Sequence, residues 1–217
     1  AVSGGLNFVS LGVGGRHTCG LTSDGRAFCW GWNEDGQLGD GSTTNRTQPV
    51  AVQQGTVAFR TLAVGHHHTC AGTSTGTVYC WGSNSHGQLG DGSTSDRSIP
   101  APVAVLTSVI GITGGAFHTC GWTATGPAYC WGGNYAGQLG DGSTSDRHVP
   151  VAVTLVPRFA EMSAGRSHTC GIASSGEVRC WGDASSGQLG TGDRTPQVRP
   201  ALATGVPAPV AIAAGDQ

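Results

Sequence analysis

The chain has 217 residues, a formal net charge of −2 and only 11% charged residues, about half the share in ordinary globular domains. All 11 basic residues are Arg, and neither their number nor their spread makes the basic stripe that nucleic acid requires. No apolar run approaches the ~20 residues of a membrane-spanning helix, and the opening "AVSGGLNF" carries no basic-then-apolar leader, as expected of a start left after cleavage.

In chain order, the first elements are four strands, at about 7–13, 17–22, 26–31 and 49–53. The second and third form a hairpin around "SDG", and the loops "STG", "ATG" and "SSG" follow at the same place in later units. Gly25, Gly76, Gly126 and Gly176 close these loops, where a three-residue hairpin loop takes a left-handed residue. The pattern then repeats. Aligned on Trp30, Trp81, Trp131 and Trp181, the periods are 51, 50 and 50 residues. A period near 50 in a chain of short strands points to propeller blades. No segment shows a capped 3.6-residue apolar period, so no significant helix is expected. The expectation is an all-β, single repeat domain over 1–217. Its units lie at about 7–56, 57–107, 108–157 and 158–207, and 208–217 supplies the first strand of a further unit.

The hairpin register sets Cys19 across from Cys29, Trp30 across from Thr18 and Phe28 across from Gly20. Opposed residues in an antiparallel pair lie within disulfide reach. The same reasoning pairs Cys70 with Cys80, Cys120 with Cys130, and Cys170 with Cys180. Reduced structural thiols and zinc are the rival readings, and zinc prefers cysteines on a tighter knuckle than this nine-residue gap. Disulfides imply an oxidising compartment, hence secretion, the periplasm or the cell surface.

The repeated sentence "G-x-x-H-T-C-G-L-T-S-D-G-x-x-x-C-W-G-x-N-x-x-G-Q-L-G-D-G" closely resembles the repeat of the regulator of chromosome condensation family. The resemblance covers all four units. It implies a β-propeller of four-stranded blades that binds partners through a face, as in secreted bacterial inhibitor proteins of the family. The guanine-nucleotide exchange of nuclear members transfers poorly, because those members act in a reducing compartment and no residue here matches that activity.

His17, His68, His118 and His168 recur once per unit, as expected of a structural hydrogen bond between strands. The blade residues Trp30, Trp81, Trp131 and Trp181 are expected in the core. Leu38, Leu89, Leu139 and Leu189 of "G-Q-L-G" read as loop anchors, their Gln neighbours as partners for loop backbone. Asp40, Asp91 and Asp141 open "D-G-S" turns; Asp and Ser beside Gly are turn formers, and no downstream bidentate Glu supports a calcium loop. His66 and His67 read as surface residues, and "N-R-T" at Asn45 is a glycosylation sequon. Trp32, Trp122, Tyr135 and His86 depart from the repeat in or beside loops, where large side chains anchor binding surfaces.

No nucleophile elbow, metalloprotease motif or phosphate-cradling loop is present, so no enzyme, metal or cofactor is expected. The leading reading is an extracellular binding module that presents the variable loops "WNED", "SNSH", "GNYA" and "DASS" to a protein or glycan. Self-association into a fibre or ring, and a lectin with a sugar site per blade, are the alternatives.

Overall fold

The computed structural model describes residues 5–154, 158–207 and 209–215. The first blade consists of β1 (Phe8–Val13), β2 (His17–Thr22), β3 (Ala27–Gly31) and β4 (Arg46–Ala51). The second has β5 (Phe59–Val64), β6 (His68–Thr73), β7 (Val78–Gly82) and β8 (Arg97–Pro102). The third has β9 (Val109–Gly114), β10 (His118–Thr123), β11 (Ala128–Gly132) and β12 (Arg147–Ala152). The fourth has β13 (Phe159–Ala164), β14 (His168–Ala173), β15 (Val178–Gly182) and β16 (Gln197–Leu202). Each blade is a separate antiparallel meander in sequence order. The first strands β1, β5, β9 and β13 neighbour one another and so form the inner wall. The described residues contain no helix, and none that is long and apolar enough to cross a membrane.

Register follows the hairpin loops. Cys19 faces Cys29, Thr18 faces Trp30 and Gly20 faces Phe28. Gly25, Gly76 and Gly176 take φ of 85°, 79° and 89°, the left-handed values that a bulged three-residue turn requires. Gly126 does not. Pro127 follows it and disfavours helical φ/ψ at the preceding residue. Accordingly, the Gly126 amide donates to Thr123 Oγ1 where the other loops bond to the backbone carbonyl of the corresponding residue. The fourth strand also begins earlier than 49–53. A register shift between Cys29 and Gly31 carries the pairing from Val50 to Arg46, so β4 includes Pro49 on the outer edge, where a missing N–H is tolerated.

The further strand expected over 208–217 is not formed in the described part, 209–215; the rest of that stretch lies outside the described residues. The segment nevertheless packs as an inner strand would. The Ala214 amide donates to Ser163 Oγ at 2.9 Å, as the Ala164 amide donates to Thr113 Oγ1 at 3.0 Å. Ile212 packs on the Cys170–Cys180 cluster.

The core lies between blades. Cys19, Cys29, Leu38 and Val52 of the first blade pack against Phe59, Ala71 and Trp81 of the second. The second and third blades meet in the same way around Cys70, Cys80 and Trp131, and the third and fourth around Cys120, Cys130 and Trp181. Each blade thus presents its sulfurs forward and its tryptophan backward.

All four disulfides form within hairpins, Cys19–Cys29, Cys70–Cys80, Cys120–Cys130 and Cys170–Cys180, each with Cα atoms 4.1 Å apart. Closing so short a loop contributes about 2–3 kcal/mol. The first three are 0–1% exposed, whereas Cys170 and Cys180 are 7% and 4% exposed. Under native conditions a thiol reductant is therefore expected to open Cys170–Cys180 first, with the other three protected until unfolding. Differential alkylation and peptide mapping checks the order.

Candidate interaction surface

Each blade junction is fixed by one repeated polar relay. His17 Nε2 meets Thr69 Oγ1 at 2.8 Å, and the Thr69 hydroxyl donates to the Gln37 carbonyl at 2.9 Å. Trp81 Nε1 donates to that same carbonyl at 2.9 Å. The Thr69 hydroxyl proton is committed to the carbonyl, so the imidazole must be the donor at Nε2. His68, Thr119, Gln88 and Trp131 repeat the arrangement, as do His118, Thr169, Gln138 and Trp181. The recurrent histidines therefore bond between blades, a longer reach than strand-to-strand bonding within one blade. Burial lowers the His17 pKa to about 4 and those of His68 and His118 to about 3, and it also lowers that of His168. The rings of His17, His68 and His118 are thus neutral structural donors.

The relay holds the "G-Q-L-G" loops over the next blade. Leu38, Leu89, Leu139 and Leu189 are fully buried. Gln37, Gln88, Gln138 and Gln188 each accept a loop amide on Oε1, as expected from the sequence. Three buried asparagines, which carried no weight in the sequence, complete the loops. Asn84 Nδ2 donates to the Ser93 and Ser95 carbonyls, and its Oδ1 accepts the Leu89 amide. Asn33 and Asn134 repeat this, while the fourth unit has Ala184 at that place. Asp40, Asp91 and Asp141 pair with Arg46, Arg97 and Arg147. Burial pushes these carboxyls up, but hydrogen bonds from Ser and Arg outweigh it and hold them below the ordinary range.

The connections between first and second strands, and between third and fourth, emerge at the same end of every blade, here called the upper face. The unrepeated side chains meet there across the junctions. Trp32 of the first blade lies edge-on to His67 of the second, with centroids 5.1 Å apart, and Asp35 Oδ2 is 3.3 Å from His67 Nδ1. Partial burial pushes the Asp35 carboxyl up, against the pull of His67. At the next junction His86 lies 5.0 Å from Phe117, and its Nδ1 is 2.8 Å from Asp146 Oδ2. At the third, the Tyr135 hydroxyl hydrogen-bonds Ser167. Phe117 also stacks on His67 at 6.4 Å, and the Arg16 guanidinium sits 5.7 Å from the Trp32 ring.

Three of the four aromatic or histidine departures from the repeat, Trp32, His86 and Tyr135, thus belong to one upper band. Trp122 does not join it. It faces Gly111 across β9 and β10, where a Cβ on Gly111 would come within 2.1 Å of its ring. It is half-buried and packs against the core cluster of Phe159 and Trp181. Sequence reading missed Arg16 and Phe117 as members of the band. Their signal is the second variable position of "G-x-x-H", held by Arg16, His67, Phe117 and Ser167 in turn. Of the repeated tryptophans, Trp81, Trp131 and Trp181 are fully buried, whereas Trp30, on the side of the first blade away from the second, is only half-buried. Among the described residues no three His, Cys, Asp or Glu side chains gather as metal ligands, His66 and His67 included.

Four-stranded antiparallel meanders ranked side by side about an inner wall define a β-propeller. The chain belongs to the RCC1-like domain family, whose sequence model matches residues 2–217. It is 41% identical over 113 residues to the ultraviolet-B receptor UVR8 of Arabidopsis thaliana, covering 50% of this chain and 25% of that protein. It superposes on Prp20p of Saccharomyces cerevisiae, described for its binding to Gsp1p and histones, with a TM-score of 0.86 and 21% identity, covering 99% of this chain and 56% of that one. It also superposes on the ectodomain of the receptor kinase CR4 of Physcomitrella patens, with a TM-score of 0.60 and 25% identity, covering 97% of this chain and 47% of that one. The chain therefore spans about a quarter of the curated relative and about half of each solved structure.

Proposed function

We propose that this propeller is a non-enzymatic interaction module working outside the cytosol, and that its upper band binds a protein partner. The carrying observation is the sorting of residues. Positions that build the junction relay repeat from blade to blade, whereas the large side chains that meet on the upper face, Trp32, His67, His86, Phe117 and Tyr135, each occur at their position in one blade only. Exposed aromatic side chains with an Arg beside them match the composition of binding hot spots. The polar groups of the band engage one another pairwise along the face, a spread that suits recognition of an extended surface. Four disulfides buried in the blade cores favour an oxidising compartment, and the similar CR4 ectodomain gives this location a precedent within the fold.

The test is affinity capture from the secreted proteins of the source, comparing wild type with two variants. A Trp32→Ala/His86→Ala/Tyr135→Ala chain alters the upper face, and a Thr75→Ala/Ser175→Ala chain alters the hairpin turns opposite. The expected result is a partner retained by wild type and by the turn variant and lost by the upper-face variant. A partner retained by the upper-face variant, or lost by the turn variant, contradicts the proposal.

A further inference from the structure

The inner end of the upper face opens into a concave cavity of about 670 Å³ at the inner wall. Among the described residues its charged or ionisable lining is Arg16, His66 and His67, with no carboxylate. Glycine and alanine supply most of the remainder, including Gly14, Gly15 and Gly115. These glycines are needed for close approach. A Cβ on Gly14 would come within 2.1 Å of the Gly65 carbonyl, and one on Gly115 within 2.5 Å of the Gly165 carbonyl. The wall is therefore bare backbone, against which three nitrogen-bearing side chains stand out.

We propose that this cavity binds an oxyanion group, a carboxylate or a phosphate, held principally by Arg16. Arg16 is exposed and offers a planar fork of N–H donors matched to either group. Its guanidinium is placed against the Trp32 ring, so less freedom is lost on binding than for a free arginine. The His67 ring is held by Asp35 at Nδ1 and packed by Trp32 and Phe117, so its Nε2 donates to an anion only in the imidazolium form. His66 lies alongside, its ring 6.3 Å from that of His67. Asp35 lies outside the lining and is occupied by His67, so the cavity itself gathers donors and positive charge. The binding-module reading enters only in naming who carries the anion; anion capture by the chain needs no partner.

Amide chemical shifts of the isotopically labelled 217-residue chain would be followed against three probes: inorganic phosphate, an acetylated tetraglutamate peptide and its tetraglutamine counterpart. Saturable shifts confined to residues 14–16, 65–67 and 115–117 are expected with at least one anionic probe and none with the neutral peptide. Saturation by phosphate alone assigns a phosphorylated ligand, and saturation by the acidic peptide assigns a protein carboxylate. Because Arg16 is exposed, Arg16→Gln is expected to keep the remaining spectrum unchanged while weakening binding about ten-fold or more, the loss typical of a charge-assisted bond. His67→Gln is expected to weaken it less. Shifts scattered over the surface, no saturation, or full affinity in Arg16→Gln would overturn the proposal. Such a failure, together with capture that still depends on Trp32, His86 and Tyr135, would leave the binding-module reading intact.

Discussion

Acidification from pH 7 to pH 4 is expected to unfold this propeller, with uptake of about three protons per chain at pH 5. The cause is the buried junction histidines. An unfolded histidine titrates near pH 6.5, whereas burial lowers His17 to about 4, and His68 and His118 to about 3. Above pH 6.5 these rings are neutral in both states and stability does not vary with their protonation. Below it the unfolded chain binds protons that the folded chain refuses, so stability falls with pH. Each ring contributes a slope of up to about 1.4 kcal/mol per pH unit, and three together approach about 4. A domain of ordinary stability, about 5–15 kcal/mol, is exhausted within a few units. Asp40, Asp91 and Asp141 have depressed carboxyl pKa values, and their stabilisation is lost at lower pH still, as it falls through the folded-state values. Urea midpoints measured every half unit from pH 8 to pH 4 check the window. Replacing His118 with Gln, whose amide is also able to donate to Thr169, is expected to remove one third of the slope. Stability flat down to pH 5 would contradict neutral buried imidazoles.

Trp131→Ala is expected to cost about 3–5 kcal/mol, the range for truncating a fully buried large aromatic, with an additional penalty for the hydrogen bond to the Gln88 carbonyl. Trp30→Ala, at the same place in the repeat, is expected to cost much less. Trp131 is completely enclosed by the second and third blades, whereas Trp30 stacks on Phe8 of its own blade. Chemical denaturation of the two variants beside wild type measures the difference. Equal losses would mean that tryptophan stabilises each blade internally and that the core does not lie at the junctions.

The same contrast explains how much the sequence disclosed. Hairpin register and disulfide pairing were legible because they depend on contacts within about ten residues, punctuated by loop glycines, and blade number because the pattern recurs every 50 or 51 residues. The early start of β4 was not legible, since the register shift beside Gly31 has no composition signal and Pro49 reads as a strand boundary. The destination of the recurrent histidines was hidden for a different reason. His17 and Thr69 stand 52 residues apart, and nothing local says whether a repeated donor serves its own blade or the next. The upper band was half legible. Trp32, His86 and Tyr135 stood out as large departures from the repeat, but their meeting with the second variable position of "G-x-x-H" is a property of neighbouring blades. Trp122 stands apart from them because it packs on Gly111, a pairing visible only across two strands.

The claim on which the rest depends is that repeated residues build the scaffold and unrepeated residues on its upper face do the binding. Hydrogen–deuterium exchange of the chain with and without its captured partner tests this most directly. The account predicts new protection in residues 14–16, 32–36, 65–67, 83–87, 115–117 and 133–137, with the hairpin turns at 22–26, 73–77, 123–127 and 173–177 unchanged. Protection confined to those turns, or to the outer strands β4, β8, β12 and β16, would contradict it.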